Sequence, residues 1–309
     1  MSDERPAEGA DAAASTSRTS SPGALTPSAS TPAAECSLRD TAATAPSPVS
    51  CLSAAFTHGR PALVAYIMGG YPDRAGSLAA LHALAEAGVD VIELGIPYAD
   101  PMADGQVIRD AADAARAAAG GAFGLAETIE LARDFIGDAG ESAPPVVLMG
   151  YLNPFMRMGL PRAATAIREA GVSGVIIPDL PPDMAGPWLA SSAGIDTVFL
   201  AAPTSTPERL AKVGEMSRGF VYCVSTTGVT GERSELSAEL SDLVVRVKAA
   251  TRLPVAVGFG VSTTEQAITV ARDADGVVVG SAIVRRQADL GELRAFVDKL
   301  ADSIHRARE

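Results

Sequence analysis

A chain of 309 residues, 47% hydrophobic and 20% charged, can bury a full core as one large domain or two ordinary ones. Its formal net charge of -12 works against broad nucleic-acid binding, which draws on Lys and Arg set against phosphates. No apolar run of the roughly 18 residues a membrane span needs is present, nor a basic segment followed by an apolar one, so neither membrane insertion nor secretion is expected. Cys36, Cys51 and Cys223 lack the paired spacing of a zinc site or a disulfide framework, which suits a reducing, cytoplasmic setting.

Residues 1–50 are almost entirely Ala, Ser, Thr, Pro, Gly and acidic residues with no apolar periodicity, the composition of a disordered tail. Residues 51–309 come close to the ~250 residues of a single eight-fold (β/α) barrel. Short apolar runs follow in order: Leu63–Met68, Val89–Ile96, Val146–Met149, Gly174–Pro178, Thr197–Ala201, Phe220–Val224, Val255–Phe259 and Gly276–Val279. They are apolar on both faces, as strands of a parallel sheet covered by helices must be. Amphipathic segments such as Arg74–Ala87, Pro161–Ala170, Pro207–Met216 and Ala238–Ala250 supply the cover. The expected fold class is α/β, a single (β/α)8 TIM barrel. A doubly wound open sheet reads similarly, but Gly-rich turns after the seventh and eighth strands, Gly258-Phe259-Gly260 and Gly280-Ser281, favour the barrel, whose phosphate sites commonly sit there.

The densest chemical cluster begins where the second strand ends: Glu93, Asp100 and Asp104 fall within Glu93–Gly105. Strand C-termini form the catalytic face of such a barrel, so Glu93 is expected in the mouth, with Asp100 and Asp104 over it. Two carboxylates in different environments can divide acid and base roles. Glu93 could instead pair with a buried cation, and Asp104 could merely cap the helix beyond Gly105. A second cluster, Ser225–Gly231, is rich in small residues and reads as a lid after the sixth strand. With Gly258, Gly260, Gly280 and Ser281 it would offer backbone N–H groups at helix starts to a phosphate. Tyr66 and Tyr222 either line the mouth against a flat apolar ligand or simply pack the core. His58, His82 and His305 have no metal-site spacing.

The run ELGIPYADPMADG at Glu93–Gly105 closely resembles the signature of the tryptophan synthase alpha chain family. Further matches come in the family's order: MGGYPD at Met68–Asp73, LMGYLNP at Leu148–Pro154, PDLPPD at Pro178–Asp183, STTGVTG at Ser225–Gly231, VGFGV at Val257–Val261 and VGSAIV at Val279–Val284. The resemblance spans about Leu52 to Ala301. It implies a reverse aldol cleavage of indole-3-glycerol phosphate with Glu93 and Asp104 as the catalytic carboxylates. It also implies a phosphate held around Gly231, Gly260, Gly280 and Ser281, an indole flanked by Tyr66 and Tyr222, and Thr230 closing onto Asp104. No cofactor or metal is implied in this chain. The implied partner is the pyridoxal-phosphate beta subunit in an α2β2 complex, contacted through the strand-two and strand-six loops with Asp100 and Pro101 prominent. The chain departs from the expected pattern at Thr226, where the resemblance implies a basic residue. Two other readings fit the same residues: another phosphosugar barrel, such as an isomerase or epimerase, and a silent phosphate-binding activator of the beta subunit.

Overall fold

Nine short parallel strand segments form one sheet in which neighbours in the chain are neighbours in space. They were obtained from a computed structural model that describes residues 50–224, 233–258 and 260–309, with the side chains of 233–239 outside the description. All of the tail but Ser50, together with Thr226, Thr230 and Gly231, therefore lies outside the described residues.

The strands are β1 (Ala62–Met68), β2 (Val91–Gly95), β3 (Val146–Met149), β4 (Gly174–Ile176), β5 (Asp196–Val198), β6 (Leu200–Ala201), β7 (Val221–Val224), β8 (Val255–Gly258) and β9 (Gly276–Val279). The helices are α1 (Cys51–Ala54), α2 (Arg74–Glu86), α3 (Gln106–Ala118), α4 (Leu125–Ala139), α5 (Leu152–Met158), α6 (Leu160–Glu169), α7 (Gly186–Ser191), α8 (Pro207–Met216), α9 (Arg233–Ala250), α10 (Thr264–Asp273), α11 (Ser281–Val284) and α12 (Leu290–His305). Every predicted strand is present. The fifth is split at Phe199, and that break is where the ring closes. β5 pairs with β4, whereas β6 pairs with β7. Backbone bonds from Arg218 N–H to Thr197 O and from Tyr222 N–H to Phe199 O stitch the seam. Since β1 also pairs with both β2 and β9, the strand order is sequential around the ring and the open-sheet alternative is excluded.

Boundaries differ from expectation where backbone groups are already engaged. Val89 N–H closes the end of α2 on Leu84 O, so the second strand starts two residues later. Ile177 O accepts from Leu180 N–H, turning the chain before Pro178 can continue the fourth strand. Alternate strand residues point outward into a continuous layer with the helices, as Leu63, Ile92, Leu148 and Val175 do. The inward set, among them Val64, Val91, Val147, Ile176, Val198, Ala256 and Val278, forms a separate core inside the ring.

The two ends of that inner core are finished differently. At the N-terminal end, α1, capped by the Ser50 hydroxyl accepting from Ser53 N–H, drops Leu52 and Phe56 into the barrel floor. A Cβ on Gly219 would lie 2.6 Å from Leu52, and one on Gly276 would lie 2.5 Å from Phe56, so these glycines make the seats for the plug. At the C-terminal end the inward positions include Gly95, Gly258 and Gly280, and among the described residues no plug fills the space above them.

Candidate active site

That space is a cavity of about 440 Å³ at the C-terminal mouth. Tyr66, Glu93, Asp104, Tyr222, Gly260, Gly280 and Ser281 all line it. Register explains the convergence: Tyr66 on β1 stands opposite Glu93 on β2, and Tyr222 on β7 stands beside Ala256 on β8. The two tyrosine rings lie across their neighbouring strands. A Cβ at Gly95 would come 2.2 Å from the Tyr66 hydroxyl, and one at Gly258 would come 2.3 Å from the Tyr222 hydroxyl, so each ring depends on a glycine for its position. Tyr222 also packs in the core inside the ring, and Tyr66 packs in a separate cluster with Met68, Ala111, Ala112 and Val284.

Glu93 is 1% exposed, and its Oε2 has no hydrogen-bond partner. Among the described residues no cation pairs with it. Burial, reinforced by the nearby Asp104 charge, pushes its pKa up to about 8. Asp104 is also raised by burial, but the Tyr151 hydroxyl and the Arg109 guanidinium pull it back toward the ionised form. Asp104 is not a helix cap: α3 starts at Gln106 with Gly105 in the capping position and no side-chain cap.

Tyr151 was not singled out from the sequence. Its hydroxyl accepts from Ala103 N–H at 2.9 Å, fixing the loop that carries Asp104. Asp179, in the turn that follows β4, accepts from Leu152 N–H at 2.8 Å and holds the helix start where Tyr151 sits. The same rule that selected Glu93 could have found Tyr151, since it follows the third strand by two residues. Arg285, which lines the cavity from the end of α11, was missed as well. Asp100 and Pro101 do not line the cavity: they lie on the outer face of the strand-two loop, Asp100 exposed and Pro101 half-buried, next to Met102, which is 78% exposed. Among the described residues no His, Cys, Asp or Glu cluster could hold a metal ion, and no helix is long and apolar enough to cross a membrane.

A closed parallel barrel with two differently tuned carboxylates in a cavity at its C-terminal mouth defines a (β/α)8-barrel enzyme of the acid–base type. A family model described as tryptophan synthase alpha chain matches residues 52–307. Tryptophan synthase alpha chains of Acidothermus cellulolyticus and Geobacter sulfurreducens are 45% and 44% identical over 255 residues, 80% of this chain and 93% and 94% of theirs. Tryptophan synthase of Mycobacterium tuberculosis matches in structure with a TM-score of 0.75 at 44% identity, covering 83% of this chain and 99% of the other. Subunit alpha from Legionella pneumophila matches with a TM-score of 0.75 at 31% identity, covering 84% and 99%. The chain belongs to the tryptophan synthase alpha chain family, lyases that cleave indole-3-glycerol phosphate. Membership implies a beta-subunit partner and no cofactor in this subunit.

Proposed function

We propose that residues 51–309 cleave indole-3-glycerol phosphate to indole and glyceraldehyde 3-phosphate with Glu93 and Asp104 as the catalytic pair. The observation that carries this is the buried Glu93 carboxyl, whose Oε2 has no hydrogen-bond partner and whose pKa is pushed up to about 8, facing the same cavity as a second, better-stabilised acid. At neutral pH Glu93 is protonated and donates to indole C3, while ionised Asp104 accepts the ring N–H and stabilises the positive charge on that nitrogen. Glu93, now a carboxylate, takes the proton of the side-chain hydroxyl. The bond from C3 to the glycerol chain breaks, its electron pair returns to the ring, and the aldehyde forms. No external proton or electron is consumed.

Tyr66 and Tyr222 flank the indole in this reading. Gly260, Gly280 and Ser281, completed by Gly231, hold the phosphate: the first N–H groups of α11 have no acceptor within the helix and face an anion favourably. Thr230 closes onto Asp104. The partner is the pyridoxal-phosphate beta subunit in an α2β2 assembly in the cytoplasm, reached through the strand-two loop at Asp100 and Pro101. Support comes from exposed Met102, Met156 and Met184, on segments that follow β2, β3 and β4 at the same end of the barrel. Residues 2–45 take no part in this reading, so a chain lacking them is expected to keep its stability and turnover.

The test is absorbance-followed turnover of indole-3-glycerol phosphate by the purified chain, with and without a beta subunit. Slow cleavage alone, accelerated by the partner and lost in Glu93→Gln with complex formation intact, is expected. Absence of cleavage under both conditions would sink the reading in favour of another phosphosugar enzyme.

A further inference from the structure

Two adjacent arginines follow α11, and only one has an assignment within the fold. The Arg286 guanidinium stacks 4.2 Å from the Phe296 ring centroid and donates to Ala282 O at 2.6 Å. The next residue, Gln287, is 1% exposed and fully engaged, its amide donating to Met68 O and Tyr71 O and its oxygen accepting from Met68 N–H. Arg285 makes no ion pair or hydrogen bond through its side chain among the described residues, although it lines the cavity.

Its direction follows from helix geometry. Arg285 N–H bonds Ser281 O at 3.1 Å, so the two residues stand one turn apart on the same helix face. Helical side chains tilt toward the helix N-terminus, which carries the long Arg285 stem back over Gly280 and Ser281. The other charged side chains lining the cavity, Glu93 and Asp104, are acidic. With Glu93 protonated, the charge that Asp104 carries repels a phosphoryl dianion entering the cavity, and a guanidinium is the side chain best matched to phosphate oxygens.

We propose that Arg285 is the charged recognition residue for the phosphoryl group and sets the preference for phosphorylated over unphosphorylated ligands. The proposal rests on the phosphate-end placement given above and adds to backbone N–H binding a side chain that acts on affinity rather than on the chemical step.

Calorimetric titration of the full chain with glycerol 3-phosphate, alongside steady-state cleavage, tests it. Arg285→Gln is expected to weaken glycerol 3-phosphate binding about tenfold, the scale of one lost charge-assisted contact at a solvent-facing site. KM should rise by a similar factor with kcat held within about twofold, the pattern of lost uniform binding. Arg285→Lys should recover most of the affinity. Arg294→Gln removes the same charge from a surface pair with Glu86 and should change nothing. Unaltered binding in Arg285→Gln, equal weakening in Arg294→Gln, or a wild-type chain that does not bind glycerol 3-phosphate overturns the proposal. Arg285-dependent binding in a chain that does not cleave the indole substrate would uphold it and sink the proposed reaction instead.

Discussion

Asp90 and Glu93 lie three residues apart at the entry to and within β2, and the fold treats these two carboxylates in opposite ways. Asp90, at the floor, accepts two bonds from Arg60 at 2.9 and 3.1 Å, one from Leu63 N–H at 2.8 Å, and faces His305 Nε2 at 2.8 Å. Burial would raise its pKa, but these partners outweigh burial and hold it below 3.8. Glu93, at the mouth, has an oxygen with no partner and is pushed the other way. A buried charge with partners is part of the scaffold; one without them costs stability and keeps its proton available for chemistry. The glycines repeat the contrast. At the floor they seat Leu52 and Phe56, and at the mouth they leave room for a ligand.

Exchanging the mouth's acid for an amide should have the largest effect. Glu93→Gln is expected to lower cleavage at least about 10³-fold, measured as indole release. Its stability should move the other way. In the unfolded chain this carboxyl loses its proton near 4.5, and in the folded chain only near 8. Raising pH through that window therefore favours the unfolded chain, by at most about 5 kcal/mol, and the loss levels off above it. Urea unfolding at pH 5.5 and 8.5 should show wild type losing more stability than Glu93→Gln between the two. Equal losses would mean Glu93 is not buried as a neutral acid.

The floor should respond in the reverse sense. Asp90→Asn leaves Arg60 short of its charge partner and is expected to cost about 3 kcal/mol in urea unfolding, with kcat of the folded fraction unchanged. Because the folded pKa of Asp90 is depressed, its stabilisation is present above the ordinary 3.8 and fades as pH falls below it, a dependence the Asn variant should lack.

Next comes the hollow itself. Gly258→Ala places a methyl against the Tyr222 hydroxyl and should cost about 2 kcal/mol through overpacking. The same change at Gly105, where a Cβ meets nothing within 4 Å, should be nearly silent in the same thermal melt.

Smallest is the support of Asp104. Tyr151→Phe deletes the acceptor for Ala103 N–H and the hydroxyl that favours ionised Asp104. A loss of about tenfold in kcat is expected, with the acid limb of the pH–rate profile moved to higher pH, since Asp104 then holds its proton more tightly. A pH-independent loss would mean that Tyr151 only packs.

Much of this was legible in the chain because parallel-barrel strands are buried on both faces and so read as short apolar runs, Val146–Met149 and Gly276–Val279 to the residue. Glu93 stood out because an acid ending such a run has no neighbour to neutralise it. The split at Phe199 was not legible, since it arises from one strand meeting two partners of different register and no local residue signals it. Tyr151 escaped because its role depends on a contact 48 residues away in sequence. Arg285 escaped because one arginine after a short helix looks like any other until its neighbours are seen to be occupied.

The seam at Phe199 has a further effect. Its two halves are consecutive in the chain, so the terminal segments of the sheet are joined covalently as well as bonded to the strands beside them. An edge strand normally offers a row of unpaired amides on which a foreign strand can template. Here even the residue at the break is engaged, Phe199 N–H donating to Ser217 Oγ and its carbonyl accepting from Tyr222 N–H, and the most hydrophobic part of the chain presents almost no surface from which aggregation could be seeded.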